Sequence, residues 1–180
     1  MQLESILNDI TDLEIDAIFY SCNTRMNFGD NQHSVAEVIN NKTDGRLEKK
    51  IHKGYSHYFP LPLEKVVITD GDNLSCQKIL HLATHSNYKE ESIPAANKMD
   101  HRDPLAYGLE KVIINTVKEG IKNILLACDD QSLSSLDIPL IGSCTLKLNP
   151  ILVVEIILAE TVFHLARNPN SKIRNFTTQF

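Results

Sequence analysis

No excess of positive charge runs through these 180 residues: lysine and arginine number 18 against 23 aspartates and glutamates, a formal net charge of −5. A protein that neutralises nucleic-acid phosphates irrespective of sequence needs a basic face, so a nucleic-acid partner is not expected. A small anion remains admissible, because backbone N–H groups and helix N-termini hold phosphate without any basic excess. Paired cysteines are missing too. Cys22, Cys76, Cys128 and Cys144 form no C-x-x-C unit, and their spacing suits neither a zinc site nor a dense disulfide framework. Free thiols in a reducing cytosol are the expectation, hence a cytoplasmic setting. The opening MQLESILNDITDLEID lacks the basic start and apolar run of a secretory signal. The longest apolar stretch, 151–166, is broken by Glu155, Glu160 and His164, too short and too charged for a bilayer span. No repeat, low-complexity segment or linker divides the chain, so one domain over 1–180 is expected.

Hydrophobic residues make up 42% and charged residues 23%, the balance of a globular chain with a substantial core. Residues 15–20 read as a short buried strand, followed by the polar loop SCNTRMNFGDNQH. Ser34 is placed to cap a helix, with Glu37 completing a capping box and Val35, Val38 and Ile39 forming the apolar stripe. Gly45 interrupts this pattern, and RLEKKIHK suggests another helical turn or two. Strands are expected at 66–69 and 78–83, with the turn DGDN between them. A long polar loop from 85 to 103 leads to a helix capped by Asp103, begun by Pro104 and ended by Gly120. Further strands are expected at 123–127 and 138–141, then a helix from Pro150 and a last edge strand within 173–180. Alternating strands and helices predict a three-layer α/β/α sandwich around a mixed, mostly parallel sheet.

Ligands of such open sheets sit outside the carboxyl ends of the strands. Two small-residue loops fall there, 22–33 and 142–145, and small residues let backbone approach a ligand closely. The order of several short elements resembles the macro domain, the ADP-ribose-binding fold. Asn8-Asp9-Ile10-Thr11 and Asp16-Ala17-Ile18 resemble the family opening G-D-I-T … D-A-I-V-N-A-A-N, with Tyr20-Ser21-Cys22-Asn23 in the place of N-A-A-N. Val35-Ala36 and Ile39 resemble its V-A-x-x-I, and Gly45-Arg46-Leu47 its A-G-x-x-L. The segment VITDGDNL at 67–74 is similar to V-V-T-x-x-x-N-L, Ile79-Leu80-His81 to I-I-H, and IPLIGS at 138–143 to F-P-A-[IL]-[GS]-[TA].

The resemblance implies that Asp9 and Ile10 hold adenine and that Asn23 reaches the distal ribose. It also implies that Gly29, Ser34 and Val35 line the first phosphate loop, and Gly142, Ser143, Cys144, Thr145 and Leu146 the second. Departures are equally specific. The family's first run of glycines is reduced to Gly29, and Cys144 and Leu146 stand where a glycine and an aromatic residue are usual. The implied function is binding of ADP-ribose, a related NAD-derived nucleotide or an ADP-ribosylated partner, without a cofactor and without efficient catalysis. Hydrolytic members often use the asparagine matched by Asn23 together with an aspartate after the glycines, but here Val35 is followed by Ala36. An ADP-ribosyl hydrolase with Asn23 as its only candidate catalytic residue is one alternative; a worn scaffold for assembly is another. Each residue also has a plainer account: Asp9 as a turn cap, Asn23 as a strand-end residue bonding its own backbone. His81 and His85 lie four apart on a strand, about 13 Å along the chain, so no metal site is expected.

Overall fold

The computed structural model describes residues 2–6, 9–28, 34–85, 104–142 and 148–179. The chain runs β1 (Gln2–Ile6), β2 (Ala17–Asn23), α1 (Val35–Lys42), α2 (Arg46–Tyr55), β3 (Val66–Asp70), β4 (Lys78–His85), α3 (Pro104–Asp130), β5 (Ser135–Asp137), α4 (Pro150–Arg167) and β6 (Asn175–Gln179). Short 3₁₀ turns lie at Ile10–Asp12 and Ser56–Tyr58.

The strands form one six-stranded sheet in the order β1-β6-β5-β2-β4-β3. Every neighbouring pair is parallel except β3 with β4, as the mixed, mostly parallel reading requires. Side chains alternate across the strands, and each face collects its own core. Ala17 and Phe19 of β2, Leu80 and Leu82 of β4, Leu136 of β5 and Phe176 of β6 meet α3 and α4 through Val117, Ile121, Ile124, Leu125, Val153, Ile156 and Ile157. On the opposite face Ile18, Tyr20, Cys22, Ile79 and Val67 meet Ile10, Ile39, Leu47 and Ile51 from the 3₁₀ turn, α1 and α2. Three layers result.

Local chemistry fixes the ends of these elements. Ser34 Oγ accepts from Glu37 N at 3.1 Å and caps α1, as its spacing predicted. Gly45 takes the left-handed φ of 68° that turns α1 into α2. Asn149 Oδ1 accepts from Ile151 N at 2.9 Å to start α4, with Pro150 in its first turn. Asp16 Oδ2 accepts from Ser134 N at 2.6 Å, Ser134 Oγ at 2.6 Å and Ser135 N at 3.1 Å, tying the start of β2 to the start of β5.

Four expectations are corrected. Residues 123–127 are not a strand but the interior of α3, a 27-residue helix. Its buried positions Val117, Ile121, Ile124, Leu125 and Cys128 recur at helical spacing, while Asn123 and Leu126 are exposed. Gly120 therefore does not end the helix. It lies where a Cβ would stand 2.6 Å from Leu82 Cδ2, so its lack of a side chain lets α3 approach the sheet. The strand expected at 138–141 is instead β5 at Ser135–Asp137, after which Ile138 keeps one bond, its N–H donating to Thr177 O at 2.9 Å. Finally, β6 is not an edge. It lies between β5 and β1, and β1, which the sequence reading did not anticipate, takes the edge.

Candidate functional site

Because β1, β6, β5, β2 and β4 all run in one direction, their carboxyl ends share one border of the sheet. Asp9 follows β1, Asn23 ends β2, Ser34 opens the helix after β2, and Gly142 follows β5. Topology thus brings four separated segments toward that border. Gly29, Ser143, Cys144, Thr145 and Leu146 lie outside the described residues, as do Asp30, Asn31, Gln32 and His33.

Asp9 is held by its own turn. Its Oδ1 accepts from Thr11 N at 2.9 Å and from Thr11 Oγ1 at 2.6 Å. Both bonds fall on Oδ1; Oδ2 faces Lys42 Nζ at 3.8 Å, and the side chain is 40% exposed. The Thr11 hydroxyl bond, then the Thr11 backbone bond, then the Lys42 charge hold this carboxyl below its ordinary value, outweighing the effect of partial burial. The result is an oriented anion whose second oxygen faces Lys42 across a partly exposed gap. Ile10 beside it is buried against α1 and the sheet.

Asn23 is buried and organises the chain that follows it. Its Oδ1 accepts from Arg25 N at 2.9 Å and Asn27 N at 3.2 Å, and its Nδ2 donates to Asn27 O at 3.2 Å. The strand-end account of this residue therefore holds. Ser34 is engaged as the α1 cap, and Val35 is half-buried behind it. Gly142 sits at φ 76°, and Leu148 N donates to Gly142 O at 3.0 Å, closing the base of the second loop. A side chain at this backbone angle would be strained.

The sequence reading missed the support beneath the first loop. Met26 and Phe28, expected in a polar loop, are fully buried. Phe28 stacks on His81 with centroids 5.7 Å apart and meets Tyr20 edge-on at 5.5 Å. Parallel register pairs Tyr20 with His81. The Tyr20 hydroxyl lies 2.7 Å from His81 Nδ1, and Thr69 Oγ1 lies 2.8 Å from His81 Nε2. Burial pulls the His81 imidazole down to about 3, so it is neutral. Burial likewise pushes the Tyr20 phenol and Cys22 thiol up. From α2, Glu48 Oε1 accepts from Phe28 N at 3.4 Å, and His52 Nε2 lies 3.2 Å from Met26 O. The available signal was the polar pair Tyr20 and His81 at inward positions of two adjacent strands. No group of three metal-binding side chains occurs among the described residues, nor is any described helix long and apolar enough to cross a membrane.

No protein-family model matches this sequence, and no curated protein matches it. Solved structures do. The Oceanobacillus iheyensis macrodomain with ADP superposes at TM-score 0.73 and 18% identity, covering 99% of this chain and 83% of that one. The Trypanosoma brucei macrodomain in complex with ADP-ribose gives 0.72 and 16%, covering 99% and 63%. The macrodomain of Mycobacterium tuberculosis DarG gives 0.65 and 10%, covering 98% and 97%. The chain has the macrodomain fold.

Proposed function

We propose that this protein binds ADP-ribose, a related NAD-derived nucleotide or an ADP-ribosylated group at the carboxyl border of its sheet, without efficient hydrolysis. The observation that carries this reading is Asp9. Its carboxylate is oriented by two Thr11 bonds on Oδ1 while Oδ2 remains turned away from them. An anionic acceptor fixed in this way suits the exocyclic amine of adenine. Solved macrodomains with ADP and with ADP-ribose share the fold, which supports the same ligand class here. Asn23 supports binding rather than hydrolysis. Its amide is committed to the loop backbone, and Ala36 offers no carboxylate to orient a water.

Calorimetry with ADP-ribose, AMP and NAD tests the proposal. ADP-ribose binding that weakens about ten-fold or more in Asp9→Ala is the expected result, the loss that follows when a bound amine loses its acceptor. Absence of binding for all three ligands, or equal affinity in the variant, refutes the reading. Turnover of an ADP-ribosylated protein that disappears in Asn23→Ala would replace binding by hydrolysis.

A further inference from the structure

The outward side of α4 is apolar where a helix that meets only water should be polar. Its inward positions are Val153, Ile156, Ile157, Glu160, Thr161 and His164, all buried. On the other side Ile151 is 71% exposed, Val162 52% and Phe163 56%. Ala159 and Ala166 are exposed as well, and Val154 and Leu158 half-buried. Glu155 is the one charge within this stripe. Together these side chains offer on the order of 500 Å² of apolar surface, at the upper end of what a monomer carries as its largest patch.

We propose that this face is the contact between two copies of the chain, paired as antiparallel α4 helices about a two-fold axis at Leu158 and Ala159. Such an axis sets Ile151 opposite the partner's Ala166, Leu158 opposite the partner's Ala159, and Glu155 opposite the partner's Val162, so large residues meet small ones. Two stripes bury about 1,000 Å² before any polar rim is added, which reaches the lower bound of a specific interface. An isologous contact of this kind closes after two copies.

Charge fits the same arrangement. The Arg167 guanidinium lies 6.0 Å over the Phe163 ring. In the antiparallel pairing Phe163 lies level with the partner's Val154, one residue from the partner's Glu155, placing the Arg167 backbone five residues, roughly 7.5 Å along the axis, from the level of that glutamate. An arginine side chain spans this distance, so the one charge in the stripe gains a partner across the axis. The α4 residues of the contact are not among those proposed to hold the nucleotide, so the proposal stands or falls apart from the nucleotide reading.

Sedimentation velocity on the full chain, from about 1 to 100 µM, tests the proposal. The expected species has twice the 20.3 kDa mass of one chain. Val162→Glu is expected to raise the dimer dissociation constant at least 100-fold with an unchanged circular-dichroism spectrum. Glu155→Arg and Arg167→Glu are each expected to weaken the dimer, and the double variant to recover most of the loss. Ala159→Cys, next to the axis, is expected to form a reducible dimer on mild oxidation. A protein that stays monomeric throughout overturns the proposal, as does a dimer indifferent to Val162→Glu.

Discussion

Acidification should destabilise this protein in a pH range where few of its carboxylates respond, and His81 is the cause. In the folded chain its imidazole is fully buried, flanked at 2.7 Å by the Tyr20 hydroxyl and at 2.8 Å by Thr69, and stacked on Phe28. Burial holds it at about 3 against an ordinary 6.5. This is a base whose folded value is depressed, so the unfolded chain binds the proton first. Stability is complete above 6.5 and declines as pH falls toward 3, with a limiting slope of about 1.4 kcal/mol per pH unit. Integrated from neutrality to pH 5 the loss is about 2 kcal/mol, and near pH 3 it reaches about 4 kcal/mol. Domains of this size are stable by only about 5–15 kcal/mol, so the effect is large. Asp9 and Asp16 also destabilise on acidification, since both are held below 3.8 in the fold, but that loss begins only near pH 4–5. Urea titrations at pH 7.5 and 5.0, with the wild type and His81→Gln at one protein concentration, isolate the term. The variant is expected to be less stable at both pH values but to lose about 2 kcal/mol less between them. A difference between the two proteins that stays constant from pH 7.5 to 5.0 refutes the reasoning. So does an imidazole signal of folded His81 that titrates near pH 6.5 by NMR.

Two helical glycines should respond to alanine with opposite signs. Gly54 has open space where a Cβ would go, so Gly54→Ala is expected to stabilise by about 0.5–1 kcal/mol in thermal unfolding. Gly120→Ala drives a methyl to 2.6 Å from Leu82, and the overpacking is expected to cost about 1–3 kcal/mol despite better helix propensity; a stabilised variant would show that α3 does not press on β4. Asn23→Ala removes a buried acceptor from Arg25 N and Asn27 N and should lower stability by about 1–3 kcal/mol, whatever it does to ligand. Burial holds the Cys76 thiol up at about 11, the Cys128 thiol up at about 12, and that of Cys22 higher. These three are therefore expected to resist a thiol reagent at pH 8 until the chain unfolds, as peptide mapping of the labelled sites would show.

Much of this molecule was written in local pattern. The capped start of α1 at Ser34, the Pro150 start of α4 and the buried strand through 17–20 each need only neighbours in sequence, and each is where the residues put it. The ordered short elements likewise carried the macrodomain fold, because strand order and loop position survive when individual loop residues do not. Where sequence failed, the deciding neighbour was remote. Residues 123–127 read as a strand because a short apolar run fits either period; α3 claims them because they continue a stripe that packs on Leu80 and Leu82. Gly120 reads as a stop until Leu82, 38 positions away, is seen to occupy the space its side chain would need. No local signal marks β1, whose place beside β6 is a pairing between opposite ends of the chain. Asn23 could be singled out from its position at a strand end, but only the folded loop decides that its amide is spent on Arg25 and Asn27. The neutral His81 belongs wholly to tertiary structure. Its charge is set by Tyr20, Thr69 and Phe28, from two other strands and a loop, which together remove it from water.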